Sequence, residues 1–178
     1  MKPFDLPLSY QLTPGVQRSF QNLKSSLGRL PALYAVMGYS PAALEGFMAL
    51  DEALSRGVFT RKEREAIAII VSQVNDCQYC LAWHTAEALK TGLTRDEIKA
   101  IRLDQVKDRK LNAIVKLAKS MVESQGHPEE SLQLRFYMAG FQESGAVELA
   151  GLVSLWIFSN YLYALTPVAI DFPLPDLD

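Results

Sequence analysis

Thr60–Gly92 reads TRKEREAIAIIVSQVNDCQYCLAWHTAEALKTG, and this stretch decides the fold. Thr60 and Glu63 form a capping box, a hydroxyl and a carboxylate spaced to satisfy the first free amides of a helix through about Val74. Asn75-Asp76 breaks that helix. A second is expected from Cys77 to about Thr91, closed by Gly92. Two helices joined by so short a break fold back as an antiparallel hairpin.

The same punctuation extends in both directions. Ser40-Pro41 reads as an N-cap with proline at the first helical position, and Gly57 sits where that helix should stop. Upstream, helices are expected from Pro14 to Leu27 and briefly after Pro31. Downstream, Thr94-x-x-Glu97 is another capping box. Lys107 to Glu123 carries Leu111, Ile114, Val115, Leu117, Ala118, Met121 and Val122 at helical spacing. Beyond a break at Gly126-His127-Pro128, helices are expected at about Glu129 to Gly140 and Ala146 to Leu165, then an extended tail from Thr166. No strand-like alternation stands out. The fold class is all-α, a helical domain of about six to eight helices spanning residues 1–178.

Bulk composition narrows the function classes. Of 178 residues, 49% are hydrophobic and 21% charged, enough for a genuine core without disulfide staples. The formal charge is −2 and no basic run occurs, which argues against nucleic acid and anionic membrane as partners. Ala146 to Leu165 approaches the length of a bilayer span, yet carries Glu148, Ser154, Ser159 and Asn160 without flanking basic clusters. It reads as a core helix or one buried between subunits. An acid and two prolines occupy Met1 to Pro7, where a secretory leader would need an apolar run, so a cytoplasmic location is expected. Two cysteines there would normally stay reduced, which makes a close pair more plausible as catalytic or metal-binding than as a staple.

Cys77 and Cys80 are the only two cysteines, and His84, one of two histidines, follows four residues later. At about 100° per residue the three share an arc of roughly 60°. Cys77 falls at the helix start, where free amides and the helix dipole favour a thiolate. His84, one turn past Cys80, can take or return its proton. In the hairpin, Glu65 comes near His84 rather than Cys77, and the apolar run Ala66–Val71 would partly desolvate it. A Glu65–His84–Cys80 relay is therefore expected. Simpler readings stand beside it: Glu65 in a surface pair with Arg61, His84 as a core histidine, and His127 as a turn residue. Tyr79 either donates a hydrogen bond into the site or packs, and the aromatic residues of the last helix read as core.

The spacing E-x11-C-x2-C-x3-H on a helical hairpin resembles the alkylhydroperoxidase D-like family, within the carboxymuconolactone decarboxylase superfamily; Glu65, Cys77, Cys80 and His84 each match, and the resemblance spans about residues 40–120. It implies a helical subunit assembled as trimers or hexamers that reduces hydroperoxides without haem, flavin or other cofactor. Cys80 would be oxidised to a sulfenic acid, Cys77 would resolve it to a disulfide, and a dithiol of lipoyl or thioredoxin type would restore the pair. Length and the apolar C-terminal helix are similar to the peroxidase-related subgroup. Tyr79 departs from the pattern, since the best-studied members have a histidine between the cysteines, so one relay member is missing or replaced. Helix-end electrostatics favour Cys77 as the thiolate whereas the family assigns the attack to Cys80, and the two assignments remain open at this point. The decarboxylase branch lacks the cysteine pair. Two alternatives keep the same residues: a dithiol–disulfide exchange enzyme, and a zinc site of Cys77, Cys80, His84 and Glu65.

Overall fold

The computed structural model describes residues 5–172. Met1–Phe4 and Pro173–Asp178 lie outside it, and with them most of the N-terminal reading and the acidic end of the extended tail. The described residues contain no strand. The fold is all-α: α1 Pro14–Leu27, α2 Ala32–Met37, α3 Pro41–Ser55, α4 Arg61–Val74, α5 Gln78–Lys90, α6 Arg95–Arg102, α7 Arg109–Glu123, α8 Glu130–Met138 and α9 Glu143–Leu165. That is nine α-helices among the described residues, one more than the upper end of the six to eight expected.

Local chemistry sets most boundaries. Thr13, Ser40, Thr60, Thr94 and Asp108 each accept a hydrogen bond from the amide three residues on, and prolines at 14 and 41 need no such partner. Both capping boxes form as read. Gly28 closes α1 at φ 75°, a left-handed conformation that other residues adopt only with strain. Some boundaries differ from expectation. Asp108 caps α7, which starts at Arg109 rather than Lys107, and α9 begins at Glu143, three residues before Ala146.

α4 is the axis of the molecule. It packs against α5, α6, α7 and α9, so residues Ala66 to Ser72 are buried on every side. This explains the unbroken Ala66–Val71 run: a helix enclosed all round has no polar face to alternate. α5 lies along α4 as the second arm of the hairpin. α9 crosses α3, α4 and α7, with Leu149, Leu152, Val153, Leu155 and Trp156 buried and Val147, Phe158, Tyr161 and Leu165 exposed on its outer side.

The polar residues of α9 have specific partners. The Glu148 carboxylate accepts from Val58 N at 2.6 Å, and a Cβ at Gly57 would collide with it. α3 ends earlier, at Ser55 with Arg56 as its C-cap, and the absence of a side chain at Gly57 admits this long-range contact. Asn160, 2% exposed, donates from Nδ2 to Ser72 Oγ at 3.2 Å and accepts at Oδ1 from Asn75 Nδ2 at 2.9 Å. These bonds tie α9 to the end of α4, beside the turn that carries the first cysteine.

Candidate active site

The α4–α5 turn is short and held from both sides. Asp76 sits at φ 50°, a left-handed position an aspartate tolerates better than most residues. Cys77 N donates to Ser72 O at 2.9 Å. Cys77 is the N-cap of α5 rather than a member of its first turn, and its Sγ accepts from Cys80 N at 3.3 Å. The helix thus aims an amide at this sulfur. Cys77 and Cys80 form a disulfide across 5.3 Å between their Cα atoms, within the span such a bond requires. Both residues are almost wholly enclosed, 2% and 3% exposed.

His84 lies one turn beyond Cys80 and is buried. Its Nδ1 is 2.9 Å from Glu65 Oε2, so hairpin geometry brings together the two residues that sequence spacing paired. A carboxylate can only accept, so in the neutral imidazole that donates to it from Nδ1, Nε2 is left with the free lone pair. Arg61 turns instead to Glu87, at 3.0 Å, leaving Glu65 to the histidine. The Glu65 side chain is 15% exposed, the partial desolvation anticipated from its apolar neighbours. His127 is exposed, in the turn after α7, remote in sequence from every element of this cluster.

Charge continues behind the histidine. Arg64 reaches Asp51 of α3 at 2.5 Å. Burial pushes the Asp51 carboxyl above its usual range; Arg64 and His84 pull it down, and Glu65 adds to the rise. Burial likewise raises the Tyr34 phenol, with the charges of Asp51 and Glu65 acting in the same direction. Tyr34 is therefore neutral at any physiological pH.

Cys80 and His84 line one cavity of about 30 Å³ with Tyr34, Phe47, Trp83 and Trp156. Its volume suits a group the size of one or two water molecules. The Trp156 ring stands edge-on to the His84 ring, centroids 4.4 Å apart. Tyr79 also borders the cavity, but its phenol oxygen accepts from Leu33 N at 3.2 Å and donates to Asp171 Oδ1 at 3.1 Å. Burial raises its pKa, the Leu33 bond opposes that rise and Asp171 reinforces it. The hydroxyl between the cysteines thus fastens the start of α2 and the C-terminal segment to α5. Phe172 completes this strap, packing on Tyr79 and Trp83 under the guanidinium of Arg29.

Several of these residues were not singled out from sequence as part of the site. Trp156, Tyr34, Asp51 and Asp171 come from separate helices or the tail, and only the fold brings them to α5. Asn160 was the one visible hint, an amide in an apolar run. Among the described residues no group of three or more His, Cys, Asp or Glu is arranged to hold a metal ion. The four residues weighed for zinc are spent on one another, Cys77 on Cys80 and His84 on Glu65.

Residues 41–123 match the carboxymuconolactone decarboxylase family. A 59-residue stretch is 34% identical to the uncharacterized protein YdfG of Bacillus subtilis, covering 33% of this chain and 40% of that one, so the match spans less than half of that relative. Among solved structures, a peroxidase-related protein of Ralstonia eutropha JMP134 with an AhpD core superposes at TM-score 0.84, 19% identical over 93% of this chain and 90% of that one. A peroxidase-related protein from Silicibacter sp. TM1040 gives 0.80, with 22% identity and coverage of 95% and 92%. The debrominase Bmp8 gives 0.78, with 23% identity and coverage of 93% and 91%. At these identities the structural likeness speaks for the fold, and the motif-bearing residues 41–123 speak for the family. The chain has the AhpD-like helical fold, and its residues 41–123 are similar to the carboxymuconolactone decarboxylase family.

Proposed function

We propose that the protein is a cofactor-free thiol peroxidase, with Cys80 as nucleophile, Cys77 as resolving thiol, His84 as proton carrier and Glu65 as its orienting carboxylate. The observation that carries this reading is the Glu65–His84 hydrogen bond at 2.9 Å, with His84 and Cys80 lining the same cavity. The shared cavity also favours Cys80 over Cys77 as the attacking sulfur, since Cys77 does not line it.

In the reduced enzyme, His84 Nε2 takes the Cys80 proton, and the imidazolium is stabilised by Glu65. The thiolate attacks the terminal oxygen of the hydroperoxide, and the O–O bond breaks. The electron pair leaves on the alkoxide, which receives the proton from His84 and departs as an alcohol. Cys80 becomes a sulfenic acid. The Cys77 thiolate then attacks Cys80 Sγ, forming the disulfide and releasing the hydroxyl, with a proton, as water. A dithiol of lipoyl or thioredoxin type returns the pair to thiols by exchange. Such a reductant is consistent with the cytoplasm. A cavity of about 30 Å³ admits the O–O group, so the organic part of the substrate would extend outward past the aromatic wall. The exposed side of α9 fits a homo-oligomer, trimer or hexamer; a monomer by light scattering would refute that part.

Thiol counting before and after one equivalent of hydroperoxide, with mass spectrometry of the Cys77–Cys80 peptide, tests the reading. Rapid loss of both thiols to an intramolecular disulfide, slowed strongly in His84→Ala and Glu65→Ala, is expected. Thiols that survive peroxide but oxidise with a disulfide substrate would make the protein an exchange enzyme instead.

A second reading is favoured by the aromatic walls. Bmp8 is a debrominase, and its C82A variant is known in complex with 2,3,4-tribromopyrrole. In an analogous reaction a thiolate would take bromine from an aryl carbon, the carbanion would be protonated, and the second thiolate would displace bromide to give the same disulfide. Bromide release from a bromopyrrole, stoichiometric with thiol loss, would favour this reading over the first.

A further inference from the structure

Among the described residues, only two buried side-chain polar atoms lack a hydrogen-bond partner, Arg64 Nε and Trp156 Nε1. Arg64 satisfies its charge through Asp51 and does not border the cysteine cavity. Trp156 does border it, 7% exposed, with its ring against His84. An indole N–H is a donor with no alternative role, and leaving one unpaired in a protein interior is unfavourable. Native structures rarely retain such a group without reason. A phenylalanine would fill the same wall without the unmatched donor.

We propose that the Trp156 indole N–H is a substrate-binding donor that hydrogen-bonds the oxygen leaving from the cleaved O–O bond. This deepens the peroxidase reading and rests on it. As that bond breaks, negative charge develops on the alkoxide oxygen. His84 can deliver the proton but is engaged with the sulfur at the start of the reaction. A fixed neutral donor beside it supports the charge before the proton arrives and surrenders no proton of its own. Donors aimed at developing charge in a dry site gain strength where water is excluded. Atoms and electrons balance as before: thiolate, hydroperoxide and one proton give sulfenic acid and alcohol, with Trp156 unchanged. The ring is held for this role from two sides, by His84 at 4.4 Å and by Phe47 at 6.3 Å, both edge-to-face.

Trp156→Phe keeps an aromatic ring and removes the N–H. The rate of Cys80 oxidation by tert-butyl hydroperoxide should fall on the order of 100-fold, while reduction of the disulfide by a small dithiol keeps its wild-type rate. An unchanged oxidation rate overturns the proposal. Equal losses in both half-reactions also overturn it, since they mark a packing role. A second measurement does not depend on turnover. In Cys80→Ser, titration with tert-butyl hydroperoxide should move the Trp156 indole N–H resonance downfield, the peak being identified by its absence in Cys80→Ser/Trp156→Phe. A stationary peak overturns the donor role. If the wild-type thiols ignore hydroperoxide altogether, the peroxidase reading fails by itself, and the titration still decides whether Trp156 donates to a bound oxygen.

Discussion

The α4–α5 hairpin and α9 contribute to one site in opposite ways. The hairpin supplies Glu65, Cys77, Cys80 and His84 from 20 consecutive residues, with geometry set by helical pitch and one tight turn. α9 supplies Trp156 as cavity wall and Asn160 as a tie on that turn, each meeting partners 72 or more residues away in sequence. Chemistry built from local spacing tolerates little displacement but needs little support. Chemistry closed by a distant helix depends on the whole core being formed. The two regions should therefore respond differently to substitution, the hairpin through rate and the ties that α9 makes to it, such as Asn160, through stability.

The largest effects should fall on the cysteines. Cys80→Ser is expected to abolish oxidation by hydroperoxide, whereas Cys77→Ser should let a Cys80 sulfenic acid accumulate, as read by dimedone labelling and mass spectrometry. Accumulation in Cys80→Ser instead would reverse the two roles. Next comes Glu65→Gln, close in shape but unable to stabilise imidazolium. Its oxidation rate should drop by about 10² to 10³, within the range of a lost acid–base function, with an unfolding midpoint near wild type. A comparable loss of stability would collapse the distinction between the two regions.

Asn160→Ala tests the other side. It strands the buried Ser72 hydroxyl and frees Asn75, and should cost about 1–3 kcal/mol in urea unfolding, with the catalytic rate of the folded fraction retained. The smallest effect is at the capping box of α4. Burial alone would raise the Glu63 carboxyl, but hydrogen bonds from Lys110 and from Thr60, with the charge of Lys110, hold it below the usual glutamate range. A carboxyl with a depressed folded pKa stabilises above its unfolded pKa, and that contribution is lost as pH falls through the folded value. Glu63→Gln should thus be destabilised by less than about 1 kcal/mol at neutral pH. The gap to wild type should close on acidification through the carboxylate range. A gap that persists in acid would mean the cap, and not the ion pair with Lys110, matters at this position.

The hairpin was legible because capping boxes, helix breakers and a 3.6-residue period are properties of neighbouring residues. Glu65 and His84 could be paired on paper by counting outward from Asn75-Asp76. The partners of Tyr79 could not. Its hydroxyl is claimed by Leu33 and Asp171, 46 and 92 residues away, and no periodicity encodes such meetings. For α9, an apolar run with a few polar residues announces a core helix but not which neighbour each polar group serves. Glu148 on Val58 and Asn160 on Ser72 are answers only the packed chain supplies. Cys77 moved from first turn to cap for a related reason: Asp76 takes a left-handed backbone, which delays the helix by a residue.

The chain has two tryptophans, and both Trp83 and Trp156 line the cysteine cavity. All indole emission from this protein therefore originates beside the cysteine pair, where a disulfide quenches more strongly than a dithiol. Stopped-flow fluorescence should follow each half-reaction on the unlabelled protein in real time, the molecule serving as its own optical probe.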